Sequence, residues 1–321
     1  MRIVATAEVP PVAREAFAQL GEIEVATAGD CHAIAGAEIL IVRGTRLDAA
    51  TLARAGRLRA IARTGAGYDN VDVEAATRRR VPVVYAPGIG SRPVAEGTLA
   101  LILAATKRLR ELGAVVHESG WATRYGVVGL DIEGACLGVV GYGAIGREVA
   151  RLCTAIGMDV IAHDPDITHA PEMVSLPELL ARADIITIHC ALNDRTRGLV
   201  DRKFLASVKA GAIFVNAARG EIVADEDALA DALRSGHLST VALDVFPTEP
   251  PDASHRLYRD PRVICTPHTV GLTRLWNEQV FQSLARGVEG VLAGGAPDNL
   301  LNPEALVEHA LQPQDAAQDR Q

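Results

Sequence analysis

The run Val139-Val140-Gly141-Tyr142-Gly143-Ala144-Ile145-Gly146 decides the fold. An apolar strand enters a G-x-G-x-x-G turn, and Ile145–Ile156 continues from it at helical period. In that spacing Gly141 permits the tight turn, Gly143 lets backbone approach a pyrophosphate, and Gly146 lets helix and strand pack closely. The helix N-terminus offers free N–H groups and partial positive charge to the phosphates. A glycine-rich turn made for packing alone reads the same way, so context must decide. Eighteen residues after Gly146, the strand Met158–His163 ends at Asp164. A carboxylate there accepts hydrogen bonds from an adenosine ribose diol and repels a 2′-phosphate. As a plain turn residue before Pro165, Asp164 has a simpler reading. Strand, glycine turn, helix, strand and acid together favour dinucleotide binding, and NAD over NADP.

Outward from this unit, short β-branched runs alternate with alanine- and leucine-rich helical stretches. The strand-like runs are Ile39–Val42, Ala60–Ala62, Val81–Tyr85, Cys136–Gly141, Asp159–His163, Ile185–His189, Ala212–Asn216, Thr240–Asp244 and Val263–Thr266, with a strand start at Ile3–Ala5. Helical stretches include Leu176–Ala181, Glu226–Ser235 and Leu275–Leu292. Continuous apolar strands alternating with helices indicate parallel sheets covered on both faces. Ten such runs in 321 residues are too many for one small sheet, so two α/β units are expected. Val94–Glu118, opened by Pro93, reads as one long helix connecting them. The polar tail Gln312–Gln321 reads as a frayed end.

Composition narrows the class. Acids exceed bases 40 to 32, a net charge of −8, which argues against a nucleic-acid binder. Arg78-Arg79-Arg80 is the only basic run and reads as a solvated helix end. The five cysteines are irregularly spaced and form neither a disulfide framework nor a zinc ribbon. No carboxylate–histidine cluster has metal-ligand spacing. The N-terminus lacks the long apolar core of a signal peptide, and no apolar run spans a bilayer. A soluble, cytoplasmic protein with no membrane partner is expected.

Asn216-Ala217-Ala218-Arg219-Gly220, Asp244-Val245-Phe246-Pro247-Thr248-Glu249-Pro250 and Thr266-Pro267-His268 follow the glycine turn in order. Thr64-Gly65-Ala66-Gly67-Tyr68-Asp69-Asn70-Val71-Asp72 and Val94-Ala95-Glu96 precede it. Together these resemble the NAD-dependent D-2-hydroxyacid dehydrogenases, the group that includes D-3-phosphoglycerate dehydrogenase. Such chemistry needs a base for the hydroxyl proton, a cation for the carboxylate and a nicotinamide for the hydride. The resemblance makes His268 the acid/base, Glu249 its carboxylate partner and Arg219 the substrate clamp. A guanidinium matches a carboxylate in a two-point fork. Alternatively, Arg219 and Glu249 pair with each other at the surface.

By similarity, further cofactor contacts fall on Thr98, Ala144, Ile145, Cys190, Thr196, Ala217, Asp244 and Gly271. Cys190 reads as a packing residue with a backbone role, because His189 leaves the strand on the opposite face. For the substrate, a small 2-hydroxy or 2-oxo acid, the resemblance implies Arg43, Arg63, Ala66 and Gly67. Two arginines suit a phosphate or second carboxylate, as in phosphoglycerate. Gly90, Pro93 and Gly97 depart from that branch in the substrate loop. Glyoxylate or hydroxypyruvate reduction, or an NAD-sensing corepressor-like binding protein, are the alternatives.

The resemblance implies two doubly wound Rossmann-like domains with a cleft between them. The discontinuous first domain, for substrate, covers 1–96 and 293–321; the NAD domain covers 97–292. It also implies a homodimer through the NAD domain. The chain end near 321 implies no C-terminal regulatory domain and no serine feedback.

Overall fold

The computed structural model describes residues 1–26, 31–118, 120–167 and 169–306. The chain divides into two compact units, Met1–Ile89 with the segment from Asn277, and Gly90–Trp276. The tail 312–321 lies outside the described residues.

In the first unit, strands β1 (Ile3–Ala5), β2 (Ile23–Val25), β3 (Ile39–Val42), β4 (Ala60–Arg63) and β5 (Val83–Val84) form a parallel sheet ordered β2-β1-β3-β4-β5. Every residue of β1, β3 and β5 is buried, as a sheet covered on both faces requires. β2 is three residues with an exposed Glu24 at its centre, too short and too polar to read as a strand from sequence. The segment beyond Asn277 closes the β5 edge. Asn302 is buried, accepts the Val83 N–H at 2.7 Å, and donates to Val81 carbonyl at 3.0 Å. Asn299 donates to the carbonyls of Tyr85 and Ser283, so the helix containing Ser283 belongs with this unit. The compact units divide at Gly90 and Asn277.

In the second unit, β6 (Cys136–Val140), β7 (Asp159–His163), β8 (Ile185–Ile188), β9 (Ala212–Asn216), β10 (Leu238–Leu243) and β11 (Val263–Cys265) form a parallel sheet ordered β11-β10-β9-β8-β6-β7. A single parallel bridge, Ala162 to Met173, sits beyond β7. Counting that bridge as a strand restores the doubly wound dinucleotide-fold order, with the topological switch point between β6 and β8. The core is two layers of apolar side chains, one on each sheet face.

The expected long helix Val94–Glu118 is two helices, Ser91–Thr106 and Leu109–His117. Arg108 breaks them in the left-handed region (φ 50°), and its guanidinium pairs with Glu111 one turn on. The second helix buries none of its residues. Arg78, Arg79 and Arg80 are exposed at a helix end, as read from sequence.

Candidate active site

The glycine turn is built by close approach. A Cβ on Gly141 would lie 2.3 Å from the Cys190 nitrogen, and one on Gly146 2.1 Å from the Gly141 carbonyl oxygen. Nothing lies within 4 Å of a Cβ position on Gly143, so protein packing does not explain that glycine. An open face beside the helix N-terminus fits a ligand that must reach the backbone. Gly143 caps the helix Ala144–Ala155, whose first N–H groups have no partner within the helix. Asp164, at the end of β7, turns back to this site. One carboxylate oxygen accepts the Tyr142 N–H at 2.8 Å and the other the Asp166 N–H at 3.0 Å. These residues fit the dinucleotide that the sequence implies: Gly141–Gly146 would hold the pyrophosphate and Asp164 the ribose.

Across the switch point, Cys190 is half-buried, and burial pushes its thiol up to about 11, which removes it as a nucleophile. His189 bonds Thr187 at 2.8 Å on the other face, and burial lowers its pKa to about 3. The ring is thus held neutral near pH 7. The Thr196 hydroxyl is spent on its own loop, donating to Ala191 carbonyl and accepting the Asn193 N–H. Thr98 is buried and donates to Val94 carbonyl inside its helix.

Arg219, Glu249 and His268 stand on loops leaving β9, β10 and β11, which are neighbours in the sheet. Asn216 ends β9 fully buried; its side chain accepts the Ala218 N–H and donates to Arg219 carbonyl, fixing Ala217 and Arg219 in the following turn. Gly220 then lets this loop touch the next. A Cβ there would lie 1.8 Å from the Phe246 carbonyl carbon. Glu249 accepts the Phe246 N–H at 3.2 Å and faces His268, with Nδ1 at 2.9 and 3.2 Å from its two oxygens. The sequence left open a pairing of Arg219 with Glu249; Glu249 hydrogen-bonds to His268 and Phe246, and the Arg219 charge also acts on it. Burial raises the Glu249 pKa, but the His268 hydrogen bond and charge, the Phe246 N–H and the Arg219 charge outweigh it, leaving it below the usual value.

His268 sits in the left-handed region (φ 57°), uncommon for a residue with a side chain. Asp244 holds it there. That carboxylate is buried and accepts from the Thr266 hydroxyl at 2.7 Å and the Thr269 N–H at 2.8 Å, while Asp244 carbonyl accepts the His268 N–H at 2.7 Å. Burial, the largest influence, raises the pKa of Asp244. The sequence singled out Asp244 without this loop-holding part, and gave Asn216 and Gly220 no role. A polar side chain ending an apolar strand and a glycine after an arginine were the available signals.

Two of the departures from the family pattern, Gly97 and Gly90, sit in tight packing, and so does Gly271. A Cβ on Gly97 would lie 2.4 Å from the Val270 carbonyl oxygen, and one on Gly271 2.6 Å from the Val94 side chain. One on Gly90 would meet the Trp276 indole nitrogen at 3.3 Å.

In the first unit, Arg43 and Arg63 stand at the ends of β3 and β4. Arg43 donates to Glu8 carbonyl at 2.9 Å, and burial lowers its pKa. Arg63 donates to the Asn70 side chain at 2.9 Å; Asn70 in turn donates to the carbonyls of Arg43 and Thr45. Ala66 is exposed and Gly67 partly so, in the loop after β4. Among the described residues, no three His, Cys, Asp or Glu side chains group as metal ligands, and no helix is long and apolar enough to cross a membrane.

Comparison with known proteins agrees with this architecture. Residues 99–270 match the model of the D-isomer specific 2-hydroxyacid dehydrogenase, NAD binding domain. The chain is 44% identical over 282 residues to D-3-phosphoglycerate dehydrogenase of Mycobacterium leprae, covering 86% of this chain and 53% of that one. It is 36% identical over 273 residues to glyoxylate reductase of Aeropyrum pernix, 81% of each chain. A Thermus thermophilus protein of solved structure superposes with TM-score 0.87 at 35% identity, covering 94% of this chain and all of that one. The chain belongs to the D-isomer specific 2-hydroxyacid dehydrogenase family, and its second unit contains the family's NAD binding domain. It spans about half the length of the curated D-3-phosphoglycerate dehydrogenases it matches.

Proposed function

We propose that the chain transfers a hydride between NAD and carbon 2 of a D-2-hydroxy or 2-oxo acid. The observation that carries this is the convergence of Arg219, Glu249 and His268 on adjacent loops, at the sheet edge that also bears the glycine turn. His268 accepts the hydroxyl proton in oxidation and returns it in reduction, while Glu249 orients and stabilises the imidazolium. Arg219 pairs with the substrate carboxylate and polarises the reacting carbonyl. NAD, when bound, supplies the hydride acceptor.

Arg43 and Arg63 favour a substrate with a second anionic group, and 3-phosphoglycerate fits that description. Glyoxylate or hydroxypyruvate is the second reading, favoured by a match to a glyoxylate reductase that covers 81% of each chain. An NAD-sensing corepressor-like role is the third, since it too keeps the three residues. The assembly in this proposal is a homodimer through the second unit, supported by Leu109, Val116, Trp121, Tyr125 and Val128, all exposed. Free cysteines at 136, 153, 190 and 265 support a cytoplasmic place of action.

A panel of 2-hydroxy and 2-oxo acids, followed by NADH absorbance, tests the activity. Turnover of phosphoglycerate above the small acids supports the first reading, the reverse supports the second, and no turnover of any rejects both.

A further inference from the structure

The loop after β7 carries a second acid, Asp166, and the loop after β8 carries Arg195. Their side chains form an ion pair, Arg195 Nη2 to Asp166 Oδ2 at 3.1 Å. In the order β8-β6-β7 these loops leave strands on either side of β6, which are about 10 Å apart at the usual strand spacing. All three strands are parallel, so both loops emerge at the edge where β6 runs into the glycine turn. The ion pair bridges the two loops that flank that turn. Asp164 is on one of them, and Cys190 and Thr196 are on the other.

Both ends of the bridge stand on ordered turns. Asp164 accepts the Asp166 N–H at 3.0 Å, and the Asn193 side chain accepts the Arg195 N–H at 2.9 Å. Thr196 closes the second turn through the Asn193 N–H. The two charged side chains are each about two-thirds exposed (67% and 69%), so their attraction is weak and salt-sensitive. A guanidinium on this loop, released from its partner, is a two-point donor for phosphate. Paired, it presents no net charge, and the Asp164 carboxylate sets the local field.

We propose that Asp166 is a specificity-determining residue for the cofactor: by pairing with Arg195 it withholds that guanidinium from a 2′-phosphate at the adenosine end of the site. Asp164 opposes the phosphate by its own charge; Asp166 opposes it by occupying the cation. The inference rests on the NAD reading of the glycine turn and concerns binding alone, so it is tested without a substrate.

The experiment is titration of NADH and NADPH by fluorescence into the intact chain, Asp166→Asn, and Asp166→Asn/Arg195→Ala. Asp166→Asn should tighten NADPH about two- to fivefold, the scale of one released exposed charge contact, and leave NADH nearly unchanged. The gain should vanish in the double variant and shrink at roughly 0.5 M salt. Unchanged NADPH affinity in Asp166→Asn overturns the proposal. So does a gain that survives loss of Arg195, which would assign the effect to removal of negative charge alone. Failure of the underlying reading looks different: the unsubstituted chain would bind neither dinucleotide, or NADPH more tightly than NADH.

Discussion

At His268 a hydrogen-bonded carboxylate, a strained backbone and a buried anchoring acid meet in one residue. If it moves the proton, His268→Ala lowers turnover ~10²-fold or more while fluorescence titration shows NADH binding nearly unchanged. Glu249→Gln tests the pair. Reduction needs the imidazolium, and Glu249, held ionised by its lowered pKa, stabilises that form. Removing the negative charge takes that support away, so Glu249→Gln should lower turnover about tenfold or more while the same titration shows NADH binding nearly unchanged. Wild-type turnover would reject the pairing. Arg219→Ala should raise the substrate KM as well as lower turnover, because the guanidinium serves binding and polarisation together; steady-state kinetics separates the two. Arg219, Glu249 and His268 were legible in sequence because they stand in compact motifs with characteristic neighbours. Asn216 and Gly220 were not, since their partners, Arg219 carbonyl and the Phe246 backbone, are contacts that only the fold creates.

Elements depend on such contacts too. Gly220→Ala forces the loops after β9 and β10 apart and should destabilise the second unit by about 1–3 kcal/mol in urea unfolding, with loss of turnover. Wild-type turnover in that variant would show that the loops tolerate separation. Asp244→Ala strips acceptors from the part-buried Thr266 hydroxyl and Thr269 N–H at a cost of about 1 kcal/mol for each. Asp244→Asn keeps an acceptor oxygen and should recover most of that stability, as the same unfolding assay would show. Strands such as Ile185–Ile188 were readable because burial on both faces leaves a continuous apolar run. The break at Arg108 was not, since the helical pattern runs on through it and the left-handed turn is visible only in the backbone. β2, with three residues and a central Glu24, carries too little pattern to be read.

For the whole molecule, the two-unit division was legible from the number of strands. The return of the late segment to the first unit rests on Asn299 and Asn302 pairing with Tyr85 and β5, contacts more than two hundred residues apart in sequence. Trp121 and Tyr125 flank the Arg124 guanidinium at 5.0 and 4.2 Å, leaving large aromatic surfaces in water on a lone chain. Light scattering at micromolar concentration should give twice the 33.9 kDa chain mass, and Trp121→Ala/Tyr125→Ala should shift it towards one.

The strand order also acts as a gauge. From β6, which opens into the glycine turn, to β10, whose loop carries Glu249, is three steps across the sheet. At the usual spacing that is about 14 Å, fixed by backbone hydrogen bonds rather than by any side chain. In the proposed reaction, a molecule anchored by its phosphate at the turn would have to cover that span before its far end met the loop of Glu249. A mononucleotide held there would stop short, occupying the anchor without delivering a reactive ring. The hydrogen-bonded ladder thus sets a minimum cofactor length, independently of the residues that recognise its chemistry.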